Sequence, residues 1–187
     1  MKTMLSLGVL SLATILATCA IACGSSSAND AAHGSSTASA TTAQADPSAL
    51  SGTWAFALAS SDVATMLRDR CAKSSGDDAA KAKTCWDEIA TEAAREKIRF
   101  AKDGDGQTVW TSFGIDGSKE IVFVAVPVEL ASDGPGHVLA KIAGAPKGDM
   151  AGQFSKSSIN VMRYEVVDAR TIAVTDPKKG RLVYTKE

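Results

Sequence analysis

The chain has 187 residues, a formal net charge of −1 and 45% hydrophobic residues, which is typical of one globular domain with short appendages. Its Lys and Arg residues form no run, whereas a nucleic-acid-binding protein needs a clustered basic face. The same pattern argues against a polybasic membrane-binding patch. The composition therefore disfavours nucleic acid as a partner and electrostatic attachment to a membrane.

The first 22 residues have the organisation of a secretory signal peptide. Lys2 precedes an uncharged apolar stretch from Leu5 to Ala22. This stretch is too short and too rich in Ser and Thr for a transmembrane helix, which needs about 20 apolar residues. Small residues at Ala20 and Ala22 form a cleavage site immediately before Cys23. We therefore expect residues 1–22 to be a signal peptide.

The segment Ala20-Ile21-Ala22-Cys23 resembles the lipobox of bacterial lipoproteins, in which a small residue precedes a lipidated cysteine. The resemblance implies that Cys23 carries a lipid that anchors the protein in a membrane. Cys19 is a second candidate, although Thr18 is a poor residue before a lipidated cysteine. An ordinary signal-peptidase site, which leaves Cys23 as a free thiol, is the alternative.

The number of cysteines favours lipidation. Downstream of the cleavage site the chain contains Cys23, Cys71 and Cys85, and pairing of the last two leaves Cys23 over.

Gly24 follows Cys23, and by resemblance to lipoproteins the absence of Asp there implies the outer membrane. The expected location is the bacterial cell envelope, with the protein facing the periplasm or the cell surface.

Residues 23–49 comprise Cys23 and a tract of mainly Ser, Thr, Ala and Gly, without Lys, Arg, aromatic or branched aliphatic residues. Such a composition buries too little apolar surface to offset the entropy of ordering the backbone. It predicts a flexible tether with a reach of about 25–30 Å. His33 in this tract is expected to be solvated.

A folded domain is predicted over residues 50–187, beginning with a strand and two helices. Trp54, Phe56 and Leu58 alternate with small residues, as in a strand with one buried face. Helical spacing follows twice, with Ser60 or Ser61 capping the first helix and Asp77 or Asp78 the second. The apolar positions are Val63, Met66, Leu67 and Cys71 in the first helix, and Ala82, Cys85, Trp86, Ile89 and Ala93 in the second.

Cys71 and Cys85 lie on the apolar faces of these helices, and an antiparallel hairpin would bring them together. Outside the cytoplasm the simplest state for such a pair is a disulfide. It closes a loop that contributes about 3 kcal/mol in the chain-entropy model. A redox or metal role is disfavoured, because there is no Cys-x-x-Cys motif and His137 is the only His of the domain.

The rest of the chain alternates between short strands and turn signals. Together with the first strand, the predicted strands cover residues 52–58, 98–100, 107–115, 119–130, 137–144, 159–168, 170–176 and 181–186. Pro127 implies an edge, a bulge or a bend in its strand, and residues 145–157 are expected to be a loop. The pattern predicts a mainly β fold, an antiparallel up-and-down barrel of eight strands with the helical hairpin between strands one and two. A sandwich of the same strands fits as well.

The two ends of this domain resemble lipocalin-like, or calycin, barrels. Gly52-Thr53-Trp54 matches the Gly-x-Trp motif at the start of their first strand, and Leu182-Val183-Tyr184 with Lys186 resembles their closing segment. The resemblance implies that Trp54 packs at one end of the barrel under a basic residue, either Lys186 or Arg181. The family usually has Arg there, and its main helix follows the last strand, so this chain departs from the pattern twice.

Three functions remain open from the sequence. The barrel could bind a small apolar or amphipathic ligand between inward-facing aromatic side chains. It could instead be filled by those side chains and serve as a structural or protein-interaction domain of the envelope. An enzyme is disfavoured, because His137 is the only available imidazole base and no catalytic motif is present. No cofactor or metal is expected. The candidate ligand-binding residues are Phe56, Trp110, Phe113, Phe123 and Val138, with Trp86 over a mouth.

Overall fold

Residues 44–187 are described by a computed structural model, and eight antiparallel strands of this segment close into a barrel. Each strand pairs with its neighbours in the sequence, and β8 pairs with β1 to complete the closure. The strands are β1 Gly52–Phe56, β2 Glu96–Lys102, β3 Thr108–Asp116, β4 Lys119–Ser132, β5 His137–Ile142, β6 Val161–Asp168, β7 Thr171–Asp176 and β8 Gly180–Lys186. The α-helices of this segment are α1 Val63–Ser75, α2 Ala79–Ala93 and α3 Ala151–Lys156. The predicted signal peptide, Cys23 and His33 lie outside the described residues.

The barrel confirms the predicted antiparallel fold and excludes the sandwich, which the strand pattern alone left open. The helices α1 and α2 follow β1 and precede β2. Two expectations about connections were wrong. Residues 145–157 are not all loop, because α3 forms within them. Residues 44–49, the end of the predicted tether, are packed against the barrel: Gln44 bridges to Pro135, and Pro47–Leu50 form a 3₁₀ helix.

The helical hairpin is closed by a disulfide, as predicted. Cys71 and Cys85 are joined with a Cα–Cα distance of 5.7 Å. At the start of α2, the Asp78 carboxylate accepts a hydrogen bond from the backbone N–H of Lys81 at 3.0 Å. This bond satisfies one of the amide donors that the first turn of a helix leaves open.

The start of α1 differs from the prediction, since neither Ser60 nor Ser61 caps it. The residue before the helix is Asp62, and its carboxylate instead accepts a hydrogen bond from the backbone N–H of Arg181 at 2.8 Å. Ser61 is also turned to β8, where its hydroxyl accepts from the Val183 N–H at 2.9 Å. These two bonds attach the hairpin to the barrel wall rather than stabilising the helix itself.

Strand β4 changes partner near Pro127. Its first part pairs with β3 as far as the Val109–Pro127 pair, and from Val128 onward it pairs with β5. Proline has no N–H to donate, so this position suits a break in the ladder. On the side that β5 leaves open, the loop before α3 takes over, with Ala125 and Lys147 exchanging two backbone hydrogen bonds of 2.8 Å.

The end of the barrel at which β1 begins, here called the Trp54 end, is closed by the preceding segment. Trp54 and Leu50 are fully buried, and the indole N–H of Trp54 donates to the Leu50 carbonyl at 2.7 Å. The Lys186 ammonium lies 5.1 Å from the centre of the Trp54 ring. Of the two basic residues that the resemblance offered for this contact, Lys186 makes it.

The opposite end, here called the hairpin end, carries the longer connections. In an up-and-down barrel, odd-numbered strands all end on the same side, so α1, α2 and α3 gather there. A second apolar cluster forms under the hairpin, with Phe56 and Leu182 from the barrel and Leu58 from the 3₁₀ turn after β1 packed against residues of α1 and α2. Met66, predicted to be on the apolar face of α1, is 54% exposed and does not join it.

Candidate functional site

A cavity of about 80 Å³ lies inside the barrel towards the hairpin end. Glu96 at the start of β2, Asp176 at the end of β7 and Phe154 on α3 contribute to its wall, which places it beneath the connections of that end. Five aromatic residues line it, half of the ten in the chain. They are Trp110, Phe123, Phe154, Tyr164 and Tyr184.

Of the predicted ligand-binding residues, only Trp110 and Phe123 line this cavity. Trp110 points inward by the ordinary alternation of β3. Phe123 owes its position to a β-bulge, since Ser112 pairs with Val124 and Phe113 with Val122, which leaves Phe123 without a partner. A bulge turns a side chain to a face that strict alternation would not give it.

The expectations for Phe113 and Phe56 were wrong. Phe113 pairs with Lys97 and lies under the Arg99 guanidinium, 4.8 Å from its ring, on the outer face of the sheet. Trp110 and Phe113 are three positions apart on β3, so strand alternation puts them on opposite faces and they cannot both point inward. Phe56 lies beyond the cavity in the cluster under the hairpin, with its ring 5.4 Å from that of Tyr184.

The other two predicted residues are also away from the cavity wall. Trp86 packs in the same hairpin cluster, with the Arg68 guanidinium 4.4 Å from its ring centre. It is separated from the cavity by Leu182 and Tyr184, which belong to the cavity wall and contact the hairpin cluster. Val138 is fully buried in the main core of the barrel.

Sequence reasoning missed Phe154, because it lies in a segment that was expected to be a loop. Its ring stacks on Trp110 with 5.9 Å between centroids and an angle of 30°. The six-residue helix α3 is too short to give a periodic signal. Phe154 was nevertheless the only aromatic residue of residues 145–157 and is 8% exposed. A single aromatic residue in an otherwise polar connection indicates a side chain that packs into the core.

The indole N–H of Trp110 has no hydrogen-bond acceptor among the described residues, although the nitrogen is buried. Beside it is the phenol of Tyr164, whose hydroxyl donates only to the Met162 sulfur at 3.8 Å, a weak acceptor. Burial raises the pKa of Tyr164, with a further contribution from Tyr184, while a hydrogen-bonding contact from the Trp110 indole lowers it. Tyr164 therefore stays protonated. The geometry of the Trp110 contact is too poor to satisfy the indole N–H. The inner cavity presents two donors that lack a strong acceptor, the Trp110 indole N–H and the Tyr164 hydroxyl.

The mouth of the cavity is charged. Asp176 is 4% exposed, and its carboxylate accepts the backbone N–H groups of Lys178 and Lys179 at 2.8 and 2.9 Å. Burial lowers the pKa of Lys179, and the nearby Asp176 and Glu96 oppose this. Burial also raises the pKa of Tyr184, as do Glu96 and Asp176. The mouth thus combines two carboxylates, one ammonium group and one neutral phenol.

Within residues 44–187, no three His, Cys, Asp or Glu side chains are grouped as metal ligands would be. No helix in that range is long and apolar enough to cross a membrane.

The Asp103 carboxylate is engaged in its own turn, where it accepts hydrogen bonds from the backbone N–H groups of Asp105 and Gln107. The Nδ1 atom of His137 lies 2.9 Å from the Pro135 carbonyl.

Comparison of the chain with protein-family models, with curated proteins and with solved structures finds no match. Any function must therefore be argued from the cavity and its surroundings.

Proposed function

We propose that this protein is a lipid-anchored, non-catalytic binding protein of the bacterial cell envelope, with a lipocalin-like barrel that holds a small amphipathic ligand. The observation that carries the proposal is the cavity, because it combines five aromatic rings with a buried N–H donor that no described residue satisfies. Buried polar groups in proteins are nearly always hydrogen-bonded, so such a donor in a cavity wall favours an external acceptor.

The size of the cavity restricts the ligand. Pockets for drug-sized molecules measure about 300–1,000 Å³, and an apolar cavity of about 150 Å³ holds benzene. With about 80 Å³ available, the same scale gives on the order of three enclosed non-hydrogen atoms, so a ligand of four or five such atoms must extend into the mouth. A pigment or a whole lipid does not fit while Phe154 stacks on Trp110.

The cysteines support export and anchoring. Structural disulfides form outside the reducing cytosol, and the Cys71–Cys85 bond takes two of the three cysteines that follow the predicted signal peptide. Cys23 is then the one left for a lipid. Residues 44–51 enter the barrel at the Trp54 end, so a tether from Cys23 would join that end and leave the cavity at the other.

The anchor is tested by labelling cells with radioactive palmitate. We expect label on the wild-type protein and on Cys19→Ala, the matched control. Cys23→Ala should lose the label and move from the membrane to the soluble fraction. A Cys23→Ala protein that remains labelled and membrane-bound would contradict the anchor without bearing on the cavity.

The ligand is tested with the exported Cys23→Ala protein, extracted with organic solvent and examined by mass spectrometry. A stoichiometric small molecule is the expected result, and adding it back should change tryptophan fluorescence. The change should disappear in Trp110→Phe and persist in Trp86→Phe, because Trp86 lies outside the cavity wall.

A structural or interaction role is the second candidate, and the packing of the barrel favours it. Large side chains such as Trp54, Phe100 and Ile172 are almost fully buried in the interior, and small barrels need no ligand to be stable. A clean extract from folded protein, together with no response of Trp110 to any small probe, would select this role.

A further inference from the structure

We infer that the ligand of this cavity is a small neutral molecule with a hydrogen-bond acceptor, such as a carbonyl oxygen, on an apolar body, and that the Trp110 indole N–H binds that acceptor. The inference rests on the proposed function and names the chemical class that the site would take. It follows from the distribution of polar groups along the cavity.

The inner part of the cavity offers donors. Trp110 is 8% exposed, and its Nε1 atom makes no hydrogen bond of normal geometry among residues 44–187, because its contact with the Tyr164 hydroxyl is a poor one. The Tyr164 hydroxyl has only a sulfur acceptor at 3.8 Å. A buried donor without a good partner is less stable than the same donor in water, so an incoming acceptor is favoured there over a purely apolar group.

The carboxylates at the mouth disfavour an anion, because the Lys179 ammonium beside them already faces Asp176 and Glu96. Glu96 and Asp176 line the wall that a ligand must pass, and a carboxylate ligand would approach both of them in a site of low dielectric. A cation fits no better, since the inner groups are donors and would oppose it. A neutral acceptor avoids both conflicts, and the surrounding rings of Phe123 and Phe154 suit its apolar body.

Two probes of the same size and shape separate the acceptor from the apolar body. They are 2-butanone and 2-methyl-1-butene, in which a methylene group replaces the carbonyl oxygen. Each is titrated into the exported Cys23→Ala protein, and binding is followed by the methyl resonance of Met162, which lines the cavity. The indole N–H resonance of Trp110 reports the hydrogen bond. That of Trp54, already bonded to Leu50, is the internal reference.

We expect 2-butanone to shift the Trp110 N–H resonance downfield in a saturable way and to leave the Trp54 resonance unchanged. Trp110→Phe should weaken 2-butanone binding about fivefold, the effect of one hydrogen bond, while binding of 2-methyl-1-butene changes less than about twofold. Trp86→Phe, the matched control, should change neither affinity. If Trp110→Phe fails to fold, Tyr164→Phe in the same comparison takes its place, since it removes the neighbouring donor.

The outcomes distinguish the inference from the proposed function. If both probes bind and Trp110→Phe affects them equally, or if the ketone binds without shifting the Trp110 N–H, the ligand class is wrong and the small-ligand site remains. If neither probe perturbs Met162 up to its solubility limit, both the ligand class and the ligand-binding function are wrong.

Discussion

The barrel contains two buried tryptophans, one packed under the segment that precedes β1 and one in the wall of the cavity, and they differ in what their indole N–H groups do. At the Trp54 end the N–H donates to Leu50, a 3₁₀ helix covers the ring, and Lys186 lies over its face. In the cavity wall, by contrast, the N–H of Trp110 makes no hydrogen bond of normal geometry within residues 44–187.

The difference separates a structural residue from a binding residue of the same type. Burial alone does not distinguish Trp54 from Trp110, since both are within the main apolar cluster. The state of the polar atom does, because a satisfied N–H contributes to stability, whereas an unsatisfied one costs free energy unless something else binds it. Substitutions at the two tryptophans should therefore affect different properties.

The largest effect is expected at the Trp54 end. Trp54→Ala removes a fully buried indole and should lower the free energy of unfolding by about 3–5 kcal/mol, measured by urea denaturation of the exported protein. The reason is a cavity at the closed end together with an unpaired Leu50 carbonyl.

The comparison is sharper with Phe at both positions. Trp54→Phe breaks a hydrogen bond and should cost about 1 kcal/mol more than Trp110→Phe, which removes a donor that had no protein acceptor. Equal losses for the two Phe variants would mean that the N–H of Trp110 is as well satisfied as that of Trp54, and the contrast between the ends would be lost.

Most of the fold could be predicted from the sequence, because its signals are local. Alternating apolar residues indicated the strands, paired Asp-Gly turns indicated the hairpins, and the two helical stripes brought Cys71 and Cys85 together. Strand pairing in sequence order then leaves few topologies. Closure into a barrel depends on a contact between the two ends of the domain, the pairing of β8 with β1, which no local sequence pattern indicates.

The candidate site could be predicted only in part, since it depends on register and on a short helix. The bulge that turns Phe123 to the cavity lies in β4, and no residue type there indicates it. The outward direction of Phe113, in contrast, follows from its odd separation from Trp110. Phe154 reaches the cavity on α3, which is held by backbone bonds to β4 rather than by a sequence pattern. Glu96 and Asp176 could not be predicted as cavity residues, because charged side chains usually lie on the surface.

A smaller effect is expected from the disulfide at the hairpin end. Cys71→Ala with Cys85→Ala should lower the free energy of unfolding by about 3 kcal/mol, because the bond closes a loop of 14-residue separation. Hydrogen exchange should accelerate in α1 and α2 and stay slow in β5 and β6. Wild-type protein reduced and alkylated is the control. Uniform acceleration across the barrel would show that the two ends unfold together and are not independent units.

Gly114→Ala should alter the cavity without touching the Trp54 end. A Cβ atom at Gly114 would lie 2.8 Å from Cζ of Phe123, so the ring must move in a crowded wall. We expect a loss of about 1–3 kcal/mol in unfolding free energy and weaker binding of 2-butanone. Gly104→Ala is the matched control, since its Cβ would meet nothing within 4 Å, and it should change the free energy of unfolding by no more than about 0.5 kcal/mol.

The Trp54 N–H resonance should stay in place in both variants, because the hydrogen bond to Leu50 is remote from the bulge. If Gly114→Ala shifts the Trp54 N–H resonance as much as the Trp110 N–H resonance, the packing of the cavity and that of the Trp54 end are structurally coupled.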